Sequence, residues 1–293
     1  MTTIIDGKKI SNHILNRIKK EVTSLGFQPI FCDVLVGDDP ASIQYVRMKM
    51  RMAESVGIKF HNASFPSSIS TDGLIGEIKK INNIPNICGI IVQLPLPESL
   101  DRRKILDAID PDLDVDCLGT VASEKFYNNK MDLGFPTALA CMLLLDSLDL
   151  DLKGKKIVVL GQGELMGKPV SALLSFRGFS PTIITSKTKN KEKFIKEADV
   201  IISGMGNGKY ITGSMIKEGS VIIDAGTSEI GNGSADGGVK IVGDVDLESV
   251  KGVASFVSPV PGGVGPVTVA MLFNNVLKVA RKKMNPDRNL IYV

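Results

Sequence analysis

Tryptophan is absent, and aromatic residues make up 5% of the chain. A surface that stacks nucleobases needs exposed rings, so no nucleic-acid partner is expected. Only two histidines occur, His13 and His61. Chemistry built on a histidine dyad or a histidine-rich metal centre is poorly supplied, and no metal is expected. The four cysteines, Cys32, Cys88, Cys117 and Cys141, form no Cys-x-x-Cys pair. A zinc site or a disulfide framework is therefore not expected, and a reducing, cytoplasmic setting fits. Apolar runs such as Cys88–Leu94 and Ala138–Leu145 fall far short of the ~18 residues that span a bilayer. The start, MTTIIDGKKI, carries Asp6 and no apolar stretch, so no secretory leader and no membrane are expected. Charge of one sign is also lacking. The 35 basic and 32 acidic residues leave +3, too balanced to point to a polyanion or a lipid surface.

What is present is an ordinary globular composition, 43% hydrophobic and 23% charged. At roughly 100–200 residues per domain, 293 residues predict two domains. Short apolar strands alternate with amphipathic helices. Strands are expected at Ile30–Val36, Lys59–Phe65 and Gly89–Leu94, with helices at Ser42–Val56, Leu74–Ile81 and Asp101–Ile109. Residues 110–134 read as a loop. A second series follows, with helices at Thr137–Leu148, Gly167–Phe176, Lys191–Glu197 and Val267–Lys282. Its strands are Lys156–Leu160, Thr182–Thr185, Val200–Ser203, Val221–Ala225 and Val253–Val257. Such alternation implies α/β architecture with parallel sheets.

The 29 glycines concentrate in the second half. Lys156–Leu160 runs into Gly161-Gln162-Gly163-Glu164-Leu165-Met166-Gly167, a GxGxxxG turn between a strand and a helix. Glycines there permit a tight turn and close backbone approach to a pyrophosphate, and the helix start offers free N–H groups. The next strand ends in Ser186-Lys187-Thr188, where an NAD site usually has a carboxylate for the ribose diol. Two hydroxyls and an ammonium suit a 2′-phosphate better, which favours NADP, with NAD possible.

Tyr45 and Lys49 are four apart on one expected helix, and such residues share a face. Together they can place a lysine in a low-polarity pocket for acid/base work. Gln93 is the polar residue that ends the apolar strand at Gly89–Leu94, where α/β sheets bind ligands. Asp114-Val115-Asp116 follows it. The loop Pro259-Val260-Pro261-Gly262-Gly263-Val264-Gly265-Pro266 is stiff and poor in side chains, a wall against which a flat ring could pack.

These segments closely resemble the bifunctional methylenetetrahydrofolate dehydrogenase/methenyltetrahydrofolate cyclohydrolase family. The resemblance rests on Val36-Gly37-Asp38-Asp39-Pro40-Ala41-Ser42 with Tyr45-Val46-Arg47-Met48-Lys49, on Val92-Gln93-Leu94-Pro95-Leu96-Pro97, on Asp114-Val115-Asp116, on Gly243-Asp244-Val245-Asp246 and on the Pro259–Pro266 loop. It implies that Lys49 is the general acid/base, that Tyr45 packs on the folate ring and that Gln93 bonds to the lysine. It implies that Asp116 grips the pterin and that Pro261, Gly262 and Gly263 line the folate site. Gly161, Gln162, Gly163, Ser186 and Thr227 would then meet the dinucleotide, joined by Lys187 on the 2′-phosphate argument above.

The implied fold is two α/β domains across a cleft. Residues 1–118, joined by a terminal helix at about 269–293, would form the catalytic domain, and residues 119–268 the Rossmann-like NAD(P)-binding domain. The implied function is NADP-dependent oxidation of 5,10-methylenetetrahydrofolate and hydrolysis of the product to 10-formyltetrahydrofolate. A cytoplasmic homodimer serving one-carbon metabolism and purine biosynthesis is implied with it. The alternatives are a dehydrogenase without the hydrolase, and a non-catalytic folate- or nucleotide-binding protein. Departures from the family pattern are Gln162-Gly163 for Arg-Ser, Cys117-Leu118 for Gly-Phe, and Thr227-Ser228 for Ile-Asn. Phe135-Pro136-Thr137-Ala138 also stands where the family has Pro-Cys-Thr-Pro, which keeps Thr137 alone in place.

Overall fold

A computed structural model describes residues 1–130, 132–231 and 239–285. The part of the expected terminal helix beyond residue 285 lies outside them. In chain order the strands are β1 (Thr3–Ile4), β2 (Ile30–Val36), β3 (Lys59–Phe65), β4 (Ile87–Val92), β5 (Ile157–Leu160), β6 (Thr182–Ile184), β7 (Val200–Ser203), β8 (Val221–Asp224), β9 (Ser228–Gly231), β10 (Val239–Val242) and β11 (Phe256–Val257). The helices are α1 (Gly7–Thr23), α2 (Pro40–Ser55), α3 (Thr71–Ile81), α4 (Arg102–Leu106), α5 (Thr120–Tyr127), α6 (Pro136–Asp146), α7 (Gly167–Phe176), α8 (Lys191–Glu197), α9 (Leu247–Val250) and α10 (Val264–Met284).

The chain divides into two compact units. One comprises His13–Pro136 with the described residues from Val269 on. The other comprises Met1–Asn12 with Thr137–Thr268.

The first unit carries a parallel sheet of order β3-β2-β4. Every residue of β4 is buried, and all of β2 beyond Ile30, as expected for parallel strands covered on both faces. Phe31 on β2 meets Phe60 and Phe273 edge-on, with ring centroids 5.8 and 5.5 Å apart. Gly89 on β4 leaves room for Val115 and Val276. An added Cβ would lie 2.9 Å from both.

Residues 119–135 belong to this unit because buried polar groups tie them there. Asn275 Nδ2 donates to Val115 O at 2.9 Å and to Gly134 O at 2.7 Å. Lys278 Nζ donates to Asp132 O at 2.7 Å. The expected loop at 110–134 contains α5, whose Ala122 and Phe126 are buried at helical spacing. Helix α1 was not expected either, although Ile14, Ile18 and Val22 recur every four residues and are all buried.

The second unit carries a six-stranded sheet of order β1-β11-β8-β7-β5-β6, parallel throughout. The first residues of the chain join it as an edge strand, with Thr3 opposite Phe256. The expected strand at Val253–Val257 is reduced to its last two residues, and an antiparallel pair, β9 with β10, stands apart from the sheet.

Candidate active site

In the first unit β2 is followed in sequence by β3 on one side of it and then by β4 on the other. The carboxyl ends of β2 and β4 therefore flank a topological switch point, the place where α/β sheets open a ligand crevice. Gln93 extends β4 there, its N–H donating to Val34 O at 2.9 Å. Helix α2 begins just after β2. Asp39 caps it by accepting from Ser42 N at 2.8 Å, and Pro40 occupies its first turn. The helix buries one stripe, Ser42, Val46, Lys49 and Ala53.

The lysine thus sits where an aliphatic residue would be ordinary, at 5% exposure. Its ammonium has two partners. Nζ donates to Gln93 Oε1 at 2.8 Å and lies 2.6 Å from Asp33 Oδ2. Gln93 is itself oriented, with Nε2 donating to Leu94 O at 2.8 Å. Tyr45 is 53% exposed. It leaves the lysine to Asp33 and Gln93 and presents its ring outward.

Asp33 is absent from the sequence reading. Its signal was visible: one carboxylate inside the strand Ile30-Phe31-Cys32-Asp33-Val34-Leu35-Val36. Its side chain is fully buried. Burial pushes its carboxyl up, and the Lys49 charge opposes that shift.

Asp116 is half-buried on a turn between α4 and α5. Desolvation pushes its carboxyl up to about 7, against the pull of Lys49 and with the help of Asp114 and Asp33. Asp114 holds the turn from beneath. It is buried, its Oδ2 accepts from Gly119 N at 2.7 Å, and burial raises its carboxyl to about 6. The tightness of the turn puts Cys117 at φ +59°, a region that favours glycine.

In the second unit the chain passes from β5 to β6 on one side and then to β7 on the other. This second switch point lies at the end of β5, where the GxGxxxG turn begins. Gly161 has φ +89°, and an added Cβ would fall on Gly204 O. A Cβ on Gly167 would fall on Gly161 O, whereas Gly163 faces open space. Helix α7 starts without a side-chain cap. Lys168 N donates to Gly163 O at 3.2 Å and Val170 N to Met166 O at 2.8 Å, and Pro169 between them carries no N–H, so what the helix start offers an anion is chiefly the positive end of its dipole. Gln162 turns back on the loop, Nε2 donating to Gly161 O at 2.8 Å and to Ser171 Oγ at 3.3 Å.

Beyond β6, Thr185 N donates to Thr188 Oγ1 at 2.9 Å, and Lys187 N to Thr185 Oγ1 at 3.3 Å. This turn presents Ser186 and Lys187 to solvent, and Thr227 is exposed after β8. Gly263 N closes its loop onto Pro259 O at 2.7 Å, with Gly262 at φ +108° and Pro261 exposed.

Two buried carboxylates frame these loops. Asp244 accepts from Ser203 Oγ and Met205 N at 2.7 Å and from Asn207 N at 2.8 Å. Asp224 accepts from Gly226 N at 2.9 Å, Asp244 N at 3.1 Å and Val245 N at 2.9 Å. Asp244 is visible in sequence as part of the Gly243–Asp246 motif and Asp224 is not, because their meeting depends on β8 lying beside the 243–245 segment.

Among the described residues no group of three or more His, Cys, Asp or Glu side chains is placed to hold a metal. No helix among them is long and apolar enough to cross a membrane.

Residues 5–116 match the family model for the tetrahydrofolate dehydrogenase/cyclohydrolase catalytic domain, and residues 136–284 that for its NAD(P)-binding domain. The chain is 41% identical over 282 residues to the bifunctional protein FolD of Nautilia profundicola, covering 95% of this chain and 97% of that one. It resembles the solved FolD dehydrogenase/cyclohydrolase of Campylobacter jejuni, with a TM-score of 0.90 and 34% identity over 97% of this chain and all of that one. It resembles equally the Trypanosoma brucei enzyme solved with NADP and an inhibitor, with a TM-score of 0.91 and 30% identity over 97% and 99% of the two chains.

Proposed function

The chain belongs to the tetrahydrofolate dehydrogenase/cyclohydrolase family, and from that membership we propose a bifunctional one-carbon enzyme. It oxidises 5,10-methylenetetrahydrofolate to the methenyl cation with NADP and hydrolyses that cation to 10-formyltetrahydrofolate. The observation that carries this reading is the buried Lys49 ammonium, held by Gln93 and Asp33 at the switch point of the small sheet.

The residues suit the task. Asp116 offers a carboxylate to the N–H edge of a pterin, a charge-assisted contact. The exposed Tyr45 ring is free to stack on the folate. Lys49, fixed between two acceptors, stands where a proton must move as water adds to the cationic carbon. The open face at Gly163 and the positive end of the α7 dipole fit a pyrophosphate. Ser186 and Lys187 fit a 2′-phosphate better than a bare diol. NADP, when bound, supplies the hydride acceptor. Thr227 and the Pro261-Gly262-Gly263 loop complete the assignment, the first to the dinucleotide and the second to the folate.

In this reading the His13–Pro136 unit is catalytic and the Thr137–Thr268 unit binds the dinucleotide. The enzyme works as a homodimer in the cytoplasm and supplies one-carbon units, purine biosynthesis among their uses. Four free, buried cysteines support a reducing compartment.

The test is turnover of 5,10-methylenetetrahydrofolate by wild type and Lys49→Met, with NADP and with NAD. Reduced cofactor and methenyl product are followed together. Wild-type turnover that vanishes in the variant supports the reading. No wild-type turnover sinks it. Methenyl product that decays only at its uncatalysed rate reduces it to a dehydrogenase.

A further inference from the structure

Strand β2 lies between β3 and β4 and is buried on both faces. Asp33 sits at its centre, opposite Asn62 on β3 and Ile91 on β4. A carboxylate in such a place is costly unless it is paired, and an aliphatic side chain would pack there at no such cost. Position alone does not call for it, because Gln93 already fixes the lysine.

The Asp33–Lys49 geometry is also unusual. Oδ2 is 2.6 Å from Nζ, and Oδ1 has no hydrogen-bond partner among the described residues. A short ion pair with an unused oxygen is arranged to share a proton. The other titratable groups around it are Asp116 and Asp114 on the turn between α4 and α5, and Cys32 beside it on β2. Burial raises all four, and the Cys32 thiol stays protonated.

We propose that Asp33 is the proton-holding partner of Lys49 in the hydrolytic half-reaction, an inference that rests on the function proposed above. The Nζ proton passes to Oδ2, leaving a neutral amine beside a neutral carboxyl. The amine takes a proton from water as the water oxygen bonds to the methenyl carbon, and the C=N electron pair returns to nitrogen. The ammonium then protonates N5 as the C–N5 bond breaks, and the restored amine takes the hydroxyl proton as the formyl C=O forms. Asp33 finally releases its proton to solvent. One water is consumed and one proton leaves, which balances the conversion of a cation to a neutral product. Hydride transfer needs none of these steps, so Asp33 serves one activity more than the other.

The experiment compares wild type with Asp33→Asn, which keeps the size and an oxygen for the ammonium but cannot take the proton. The kcat of methenyltetrahydrofolate hydrolysis, above the uncatalysed rate, is measured against pH at saturating substrate, beside the kcat of dehydrogenation. In the variant, water is activated only after the ammonium loses a proton to solvent. The acid limb of hydrolysis should therefore move alkaline by about one pH unit or more. Hydrolysis near neutrality should fall about tenfold or more, while dehydrogenation falls less than about threefold. Asp33 helps to raise the Asp116 carboxyl, so its replacement would move any Asp116 limb acidic, opposite to the shift expected here. Parallel pH profiles, or equal loss of both activities, overturn the proposal in favour of a positioning role. If the variant does not fold, the wild-type profile decides. A plateau above neutrality supports the shared proton, and a rate rising about tenfold per pH unit through pH ~9 overturns it. Wild type without either activity would remove the function itself, an outcome distinct from these.

Discussion

Gln93 Oε1 lies 2.8 Å from Lys49 Nζ while Gln93 Nε2 reaches Leu94 O, also at 2.8 Å. The amide is spent at both ends, so its orientation is set and the lysine cannot swing away. A hydrogen bond to a charged group contributes about 2 kcal/mol, or about 30-fold in rate. Gln93→Ala should lower kcat of both activities by about that factor with a smaller effect on KM. An unchanged kcat would show that Asp33 alone fixes the lysine.

Asp116 provides a pH test. Its carboxyl is raised to about 7 in the free protein, and the pterin edge needs the ionised form. The fraction able to bind therefore falls as pH drops below about 7. For the folate, log kcat/KM should rise with unit slope up to that pH and then level. Asp116→Asn should give a low profile without that limb. A limb that persists in the variant would assign it to another group.

Gly161 and Gly163 separate structural from ligand requirements. Gly161→Ala meets Gly204 O at φ +89°, so it should destabilise the protein by about 2 kcal/mol or more. Gly163→Ala enters open space. It should leave the thermal midpoint within about 2 °C and raise KM for NADP. A Gly163→Ala enzyme with unaltered NADP kinetics would place the dinucleotide elsewhere.

Asp244 carries the loop after β7. Its loss strands three donors, Ser203 Oγ, Met205 N and Asn207 N. At about 1–3 kcal/mol for each unsatisfied buried group, and with water reaching some of them, Asp244→Ala should cost about 3 kcal/mol. Chemical denaturation gives the value. A cost under about 1 kcal/mol would show that the loop re-pairs its donors.

Lys187 tests cofactor choice. It is exposed on an ordered turn beyond β6, so its removal should not affect folding. Lys187→Ala should lower kcat/KM for NADP about tenfold, the loss of one exposed phosphate contact. The value for NAD should hold. Equal loss for both cofactors would mean that the lysine does not read the 2′-phosphate.

Much of this protein was legible before folding. Hydrophobic alternation located β2, β3, β7, α7 and α8 nearly residue by residue, because covered parallel strands and amphipathic helices leave local periodic signals. Gln93 stood out as a polar residue ending an apolar strand, and Gly161 and Gly167 as glycines between a strand and a helix, whereas Lys49 was marked only by its spacing from Tyr45 and by the family motif. Asp39 and Pro40 show how a boundary is lost: the cap moves the start of α2 two residues ahead of the apolar pattern. Helix α5 was missed because it is two turns long and has no capping side chain. Tertiary structure alone decided that Lys49 goes inward and Tyr45 outward, although a four-residue spacing treats them alike. It alone brought Asp33 to the lysine, Asp224 to the Gly243–Val245 segment and Thr3 to Phe256. Those pairings join residues far apart in sequence, and local periodicity carries no information about which strand lies beside which.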